Sequence, residues 1–190
     1  MKLVVGLGNP GAEYENTRHN MGFITLNRLA EDLDNPPFKK GFKGEYAKTM
    51  FEGETVYLLK PMTYMNLSGE SVKEFVDYFH INIEDIIVIM DDLALPPGRF
   101  RLRPSGSSGG QKGMQNIIDL LHTQDIKRIR IGVGEPENKN IVDYVLGKPS
   151  KDDFAKIDDA IDAALLGLKY YLATSDFNKA MSKFCSNKTL

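Results

Sequence analysis

Ile86-Ile87-Val88-Ile89-Met90, followed at once by Asp91-Asp92, is the stretch of the 190-residue chain on which the fold turns. Five consecutive apolar residues with no polar alternation describe a strand covered on both faces, the habit of parallel sheets held between helices. Residues 2–5 give a second short buried strand, which runs into a glycine loop, residues 6–11. Apolar residues at Met21, Ile24, Leu26, Leu29 and Leu33 then predict a helix, stopped by Asn35-Pro36-Pro37. Residues 45–51 and 55–60 read as a hairpin around Glu52-Gly53-Glu54. Val72, Phe75, Val76 and Phe79 mark a helix over residues 68–79. Further on, residues 99–103 and 128–133 read as strands, residues 105–113 as a glycine-serine loop, and residues 114–121 as a helix. Residues 151–173 make a long amphipathic helix, and a shorter one ends near Phe184. The alternation predicts a single α/β domain over residues 1–190, a three-layer α/β/α sandwich on a mixed, mostly parallel sheet. Ligands of such sheets sit beyond the carboxyl ends of the strands, so chemistry is expected in the loops after Val5, Lys60, Met90 and Arg103.

Bulk properties narrow the class. One cysteine, Cys185, permits neither an internal disulfide nor a cysteine metal cluster. No apolar window approaches the roughly 18 residues of a membrane span, and the N-terminus lacks a signal-peptide core. A cytoplasmic protein is expected. The net charge is −2, from 24 basic and 26 acidic residues, so an RNA partner would need a local basic patch.

Two motifs invite chemistry and are weak in context. Gly6-Leu7-Gly8-Asn9-Pro10-Gly11 matches G-x-G-x-x-G, but nine mostly polar residues separate its last glycine from the next helix. A dinucleotide site would need that helix to open at the glycine. Gly106-Ser107-Ser108-Gly109-Gly110 matches the G-x-S-x-G nucleophile elbow, which would make Ser108 a nucleophile. The one later histidine, His122, falls within or at the end of the following helix.

A different constellation is chemically coherent. His80 and His122 lie near helix ends, where capping is the ordinary role. His19 sits instead in Thr17-Arg18-His19-Asn20, while Asn9, Asn66 and Asp91 follow strands that should end at one edge. A histidine titrating at about pH 6.5 suits proton removal from water. Asp91 could hold its tautomer and favour its protonated form, and an asparagine offers a donor and an acceptor that do not titrate.

These segments also carry a resemblance. GLGNPG (residues 6–11), TRHN (17–20), PMTYMNLSG (61–69), DDLALPPG (91–98), RIRIGVG (128–134) and YVLGKP (144–149) look like the signature of bacterial peptidyl-tRNA hydrolases, in order and in register. The resemblance implies a monomeric α/β/α esterase. It would cleave the bond between a peptide and the 3′ ribose of tRNA without metal or cofactor. It implies His19 as general base, Asp91 as its support, and Asn9 as the residue that separates blocked from unblocked aminoacyl ends. Tyr14, Tyr64, Met65, Asn66 and Gly109 match substrate-holding positions. Where the family commonly reads GGHNG, this chain reads Gly109-Gly110-Gln111-Lys112-Gly113, so Lys112 stands in place of an asparagine. An ammonium cannot accept a hydrogen bond, but it can face a phosphate or an oxyanion.

Arg99, Arg101 and Arg103 alternate along one strand, and Arg128 and Arg130 along another, so each set faces one way. Such faces could bind phosphate, or could guard a sheet edge. By the resemblance, Arg103 and Arg130 clamp the 5′ phosphate beyond the 3′ CCA end and acceptor stem. Three classes therefore stand at this level: the hydrolase, a non-catalytic RNA-binding protein on the same fold, and a serine esterase using Ser108.

Overall fold

A computed structural model describes residues 1–138 and 140–185. Strands β1 (Lys2–Gly6), β2 (Lys39–Gly41), β3 (Gly44–Phe51), β4 (Glu54–Pro61), β5 (Ile86–Asp92), β6 (Phe100–Arg103) and β7 (Lys127–Gly132) form one sheet in the order β2-β3-β4-β1-β5-β7-β6. β4, β1, β5 and β7 run parallel at its centre, and β2, β3 and β6 enter through antiparallel pairings. Every residue of β1 and β5 is buried, as two-sided cover requires.

Helices α1 (Met21–Asp32), α2 (Ser68–Phe79), α3 (Lys112–Leu121), α4 (Ile141–Val145), α5 (Lys151–Thr174) and α6 (Phe177–Lys183) supply the cover. Side chains from β1 and β5 alternate between two cores. Val4, Ile87 and Ile89 pack with α1, α5 and α6, whereas Leu3, Val5, Ile86, Val88 and Met90 pack with α2 and α3. The three-layer α/β/α reading therefore holds, including the hairpin and the bounds of α2.

The direction of β6 corrects one expectation. Because β6 is antiparallel to β7, Arg103 pairs with Arg128 near the amino end of β7. The loop after Arg103 thus begins at the edge opposite the carboxyl ends of β1, β4 and β5. It reaches the carboxyl edge only where residues 109–111 lead into α3. Two elements were absent from the sequence reading, the edge strand β2 and the five-residue α4.

Candidate active site

β5 delivers Asp91 to the carboxyl edge, almost fully buried. A 3-10 turn, Arg18–Asn20, leads into α1 and sets His19 Nδ1 at 2.9 Å from Asp91 Oδ2 and 3.1 Å from Oδ1. An ionised carboxylate can only accept, so Nδ1 carries the proton and donates it, and Nε2 is left as the bare nitrogen. The approach depends on Gly22. A Cβ there would lie 2.5 Å from the Ile89 carbonyl oxygen and would also strike Leu7 N. Without one, the first turn of α1 seats directly on β1 and β5, which brings residue 19 to the end of β5.

Asn9 follows β1. Its Oδ1 accepts from Met65 N at 2.7 Å, so what it can present elsewhere is its amide N–H pair. Asn20 holds the backbone of Asn9 reciprocally, Oδ1 accepting from Asn9 N (2.8 Å) and Nδ2 donating to Asn9 O (3.0 Å). The loop after β1 and the His19 turn are in this way one unit. Asp91 Oδ1 accepts a further bond, 3.1 Å, from Gln111 Nε2, and Gln111 Oε1 accepts from Met114 N at the start of α3. Sequence reasoning assigned no role to Asn20 or Gln111. Both act between segments that the sequence alone does not bring together.

His19, Asp91, Asn9, Met65, Asn66 and Lys112 line one cleft of about 340 Å³, with Tyr64 and Gly109 also on its walls. Leu93, on the loop after β5, and Ile141, Val142 and Leu146, on and beside α4, give it an apolar flank. α4 is fixed against the His19 turn. The Arg18 guanidinium stacks 3.8 Å from the Tyr144 ring centroid and donates to Tyr144 O, and Arg18 N donates to Gly147 O. Those contacts explain physically why TRHN and YVLGKP stand out together. Tyr14 meets Tyr64 edge-to-face at 6.4 Å, so it adjoins the cleft through Tyr64. Tyr64 is half-exposed at φ 63, a left-handed conformation uncommon for an aromatic residue. Lys112 is exposed in the first turn of α3, where a positive charge opposes the helix dipole.

The other motifs fare differently. After the glycine loop comes a three-residue 3-10 turn, Ala12–Tyr14, and α1 begins only at Met21. No long helix therefore opens at Gly11 to receive a pyrophosphate. Ser108 is buried, and its Oγ accepts from Gly110 N at 3.3 Å. His122 caps the far end of α3 in a left-handed conformation, a whole helix away from the elbow it would have to serve.

The basic strands divide. Arg128 is buried and donates from Nε, Nη1 and Nη2 to the carbonyls of Ile126, Ser107 and Gln124. Burial first, and then the nearby Arg130 charge, pull its pKa below the ordinary value. It pins residues 104–111 to β7 and serves structure. Arg130 forms an ion pair with Asp92 through Nε and remains a quarter exposed. Arg101 stands opposite Arg130 in register, and Arg103 follows on the same face of β6. Among the described residues, no cluster of three or more His, Cys, Asp or Glu could hold a metal ion, and no helix is long and apolar enough to cross a membrane.

With this geometry in place, comparison with known proteins is direct. The sequence profile described as Peptidyl-tRNA hydrolase matches residues 3–190. The peptidyl-tRNA hydrolase of Clostridium acetobutylicum is 47% identical over 184 residues, covering 97% of each chain. That of Shouchella clausii is 46% identical over 185 residues, covering 97% of this chain and all of the relative. The crystal structure of peptidyl-tRNA hydrolase from Acinetobacter baumannii superposes with a TM-score of 0.92 at 37% identity, covering 97% of this chain and 94% of that one. By profile, sequence and fold together, the chain belongs to the peptidyl-tRNA hydrolase family.

Proposed function

We propose that this chain, acting as one monomeric domain over residues 1–190, hydrolyses the ester between a peptide and the 3′ ribose of peptidyl-tRNA, returning free tRNA to translation in the cytoplasm. The observation that carries the mechanism is the His19–Asp91 contact of 2.9 Å at the head of a cleft. With Nδ1–H donated to Asp91, Nε2 takes a proton from water as the oxygen attacks the ester carbonyl carbon. The buried carboxylate stabilises the imidazolium that forms. The tetrahedral oxyanion is met by the Asn9 amide and the Lys112 ammonium. Collapse breaks the bond to the 3′ oxygen, and the imidazolium returns its proton to that oxygen. The chemistry assigned to these residues draws on no metal or cofactor.

Substrate placement follows the walls of the cleft. The exposed Tyr64 ring, backed by Tyr14, offers a stacking face for an unpaired base of the CCA end, worth about 1–3 kcal/mol per base. Met65, Asn66 and Gly109 border the ester, and the apolar flank receives peptide side chains. Arg101, Arg103 and Arg130 form the local cationic face through which an acidic protein holds the acceptor stem and 5′ phosphate.

The test is incubation of the purified chain, and of a His19→Ala variant, with peptidyl-tRNA, separating free from esterified tRNA on an acid gel. Release by the parent alone is expected. Binding without release would convert the reading to a non-catalytic RNA-binding protein. Equal release by the variant would remove His19 from the mechanism.

A further inference from the structure

Gln111 does two jobs with one amide, and its orientation is fixed by chemistry. Met114 N–H at the start of α3 can only donate, so the oxygen of the amide must face it, at 2.7 Å. The nitrogen therefore faces Asp91 Oδ1 at 3.1 Å and also meets the Met65 sulfur at 3.1 Å. The side chain is buried, so water does not supply a substitute donor. Met65 is held in turn by Asn9 Oδ1, and Asn9 by Asn20 beside His19. A closed ring of contacts runs from His19 through Asp91, Gln111, Met65, Asn9 and Asn20 back to His19. Within it Gln111 links the Asp91 carboxylate to a helix terminus. We infer that Gln111 is a positioning residue for the hydrolysis: its amide fixes which oxygens of Asp91 are offered to His19, and so holds His19 in the tautomer with Nε2 bare.

This rests on the reading of His19 as base with Asp91 behind it. A neutral amide suits the task because it donates to a carboxylate at every working pH. Of the charged groups around the pair, Arg18 is turned to Tyr144, Lys112 is exposed in the first turn of α3, and Asp92 is ion-paired with Arg130.

Gln111→Glu separates positioning from capping. The carboxylate keeps an acceptor for Met114 N, at a helix N-terminus that favours negative charge, so the cap should survive. Once both carboxyls are ionised it cannot donate to Asp91 and sets a like charge against it, so turnover is compared on the alkaline side, where the pair holds no shared proton. Turnover should fall about tenfold or more, through misalignment of the base, with KM within about twofold of the parent. The decisive readout is the same change in an Asp91→Asn background. With Gln111 present, its N–H takes the oxygen of the introduced asparagine, whose amide nitrogen then faces His19. With Gln111→Glu added, the asparagine nitrogen is drawn to the new carboxylate and its oxygen turns to His19 Nδ1–H. Gln111→Glu should then cost nothing, or restore part of the turnover that Asp91→Asn removes, a coupling that a purely structural cap does not produce. Equal cost in both backgrounds, or parent-level turnover in the single variant, would overturn the inference. Failure of the underlying reading looks different, because Asp91→Asn alone would then match the parent.

Discussion

Replacing Asp91 by Asn changes one atom and removes one charge, which makes it the sharpest probe of the proposed mechanism. His19 Nδ1 lies 2.9 Å from Asp91 Oδ2, and the two side chains are 12% and 3% exposed. Between charge centres about 4 Å apart, the attraction is about 4 kcal/mol at an effective dielectric of 20. Solvent relaxation reduces what is observed. The sign follows from the charge removed. The imidazolium formed during the reaction is favoured by Asp91, so without it the general-base step loses that stabilisation. The plateau of the pH–rate profile should fall. Gln111 Nε2 demands an acceptor, so the oxygen of the introduced amide turns to Gln111 and its nitrogen faces His19 Nδ1. A donor there leaves the ring proton on Nε2, where it blocks the base, and turnover should drop about 10²–10⁴-fold. The assay is kcat on peptidyl-tRNA across about pH 5–9, bracketing the histidine range, with nitrogen NMR of His19 reporting the tautomer. An unchanged plateau would refute the reasoning, because a carboxylate in contact with the proposed base cannot be neutralised without effect on it.

His19→Ala should remove about 10²–10⁴-fold of turnover while circular dichroism and melting temperature stay near the parent, since the ring is held by Asp91 and lines the cleft rather than the core. Ser108→Ala should keep most activity, because its Oγ serves the loop through Gly110 N and His122 lies at the far end of α3. A loss as deep as that of His19→Ala would revive the serine esterase. Arg103→Ala should raise KM for full-length peptidyl-tRNA, leave kcat nearly unchanged, and flatten the salt dependence by about one unit for each phosphate it no longer neutralises. A peptidyl nucleoside ester lacking the stem should be cleaved equally well by Arg103→Ala and by the parent. Equal impairment on both substrates would make the arginine a support of the fold.

Much of this was legible because the relevant signals are local. Residues 86–90 announce two-sided burial without any partner strand, and the stripe from Val72 to Phe79 follows α2 to its last residue. β2 left no such trace. Lys39-Lys40-Gly41 is an exposed edge that exists because β3 pairs with it, and lysines at an edge discourage other pairings. α4 is too short for a period of 3.6 to show. Strand direction is not written in residue pattern at all, which is why the loop after Arg103 was expected at the wrong edge. The burial of Arg128 was illegible for a related reason. Alternation correctly put Arg128 and Arg130 on one face, but whether a loop lies over that face depends on where residues 104–111 travel, and they bury Arg128. Asn20 and Gln111 were invisible for the same cause: each is an ordinary amide until Asn9 or Asp91 is brought against it.

The tandem Asp91-Asp92 shows the same gap between pattern and placement inside the site itself. Successive strand residues face opposite ways, and β5 obeys this to its end. Asp91 continues the row of Ile87 and Ile89 toward the side of α1, where His19 lies, and Asp92 continues the row of Val88 and Met90 toward the side where Arg130 extends from β7. One strand end thereby places a carboxylate against His19 and another against Arg130. Nothing within Ile86 to Met90 fixes that assignment, because an all-apolar strand buries equally well in either register. The register is imposed from outside, by Gly6 beside Ile89 and Arg130 beside Met90. A slip of one residue would preserve the burial of β5 but turn each carboxylate to the opposite face, away from its present partner. The pairing of β5 with β1 and β7 is thus as much a part of the active site as the side chains are.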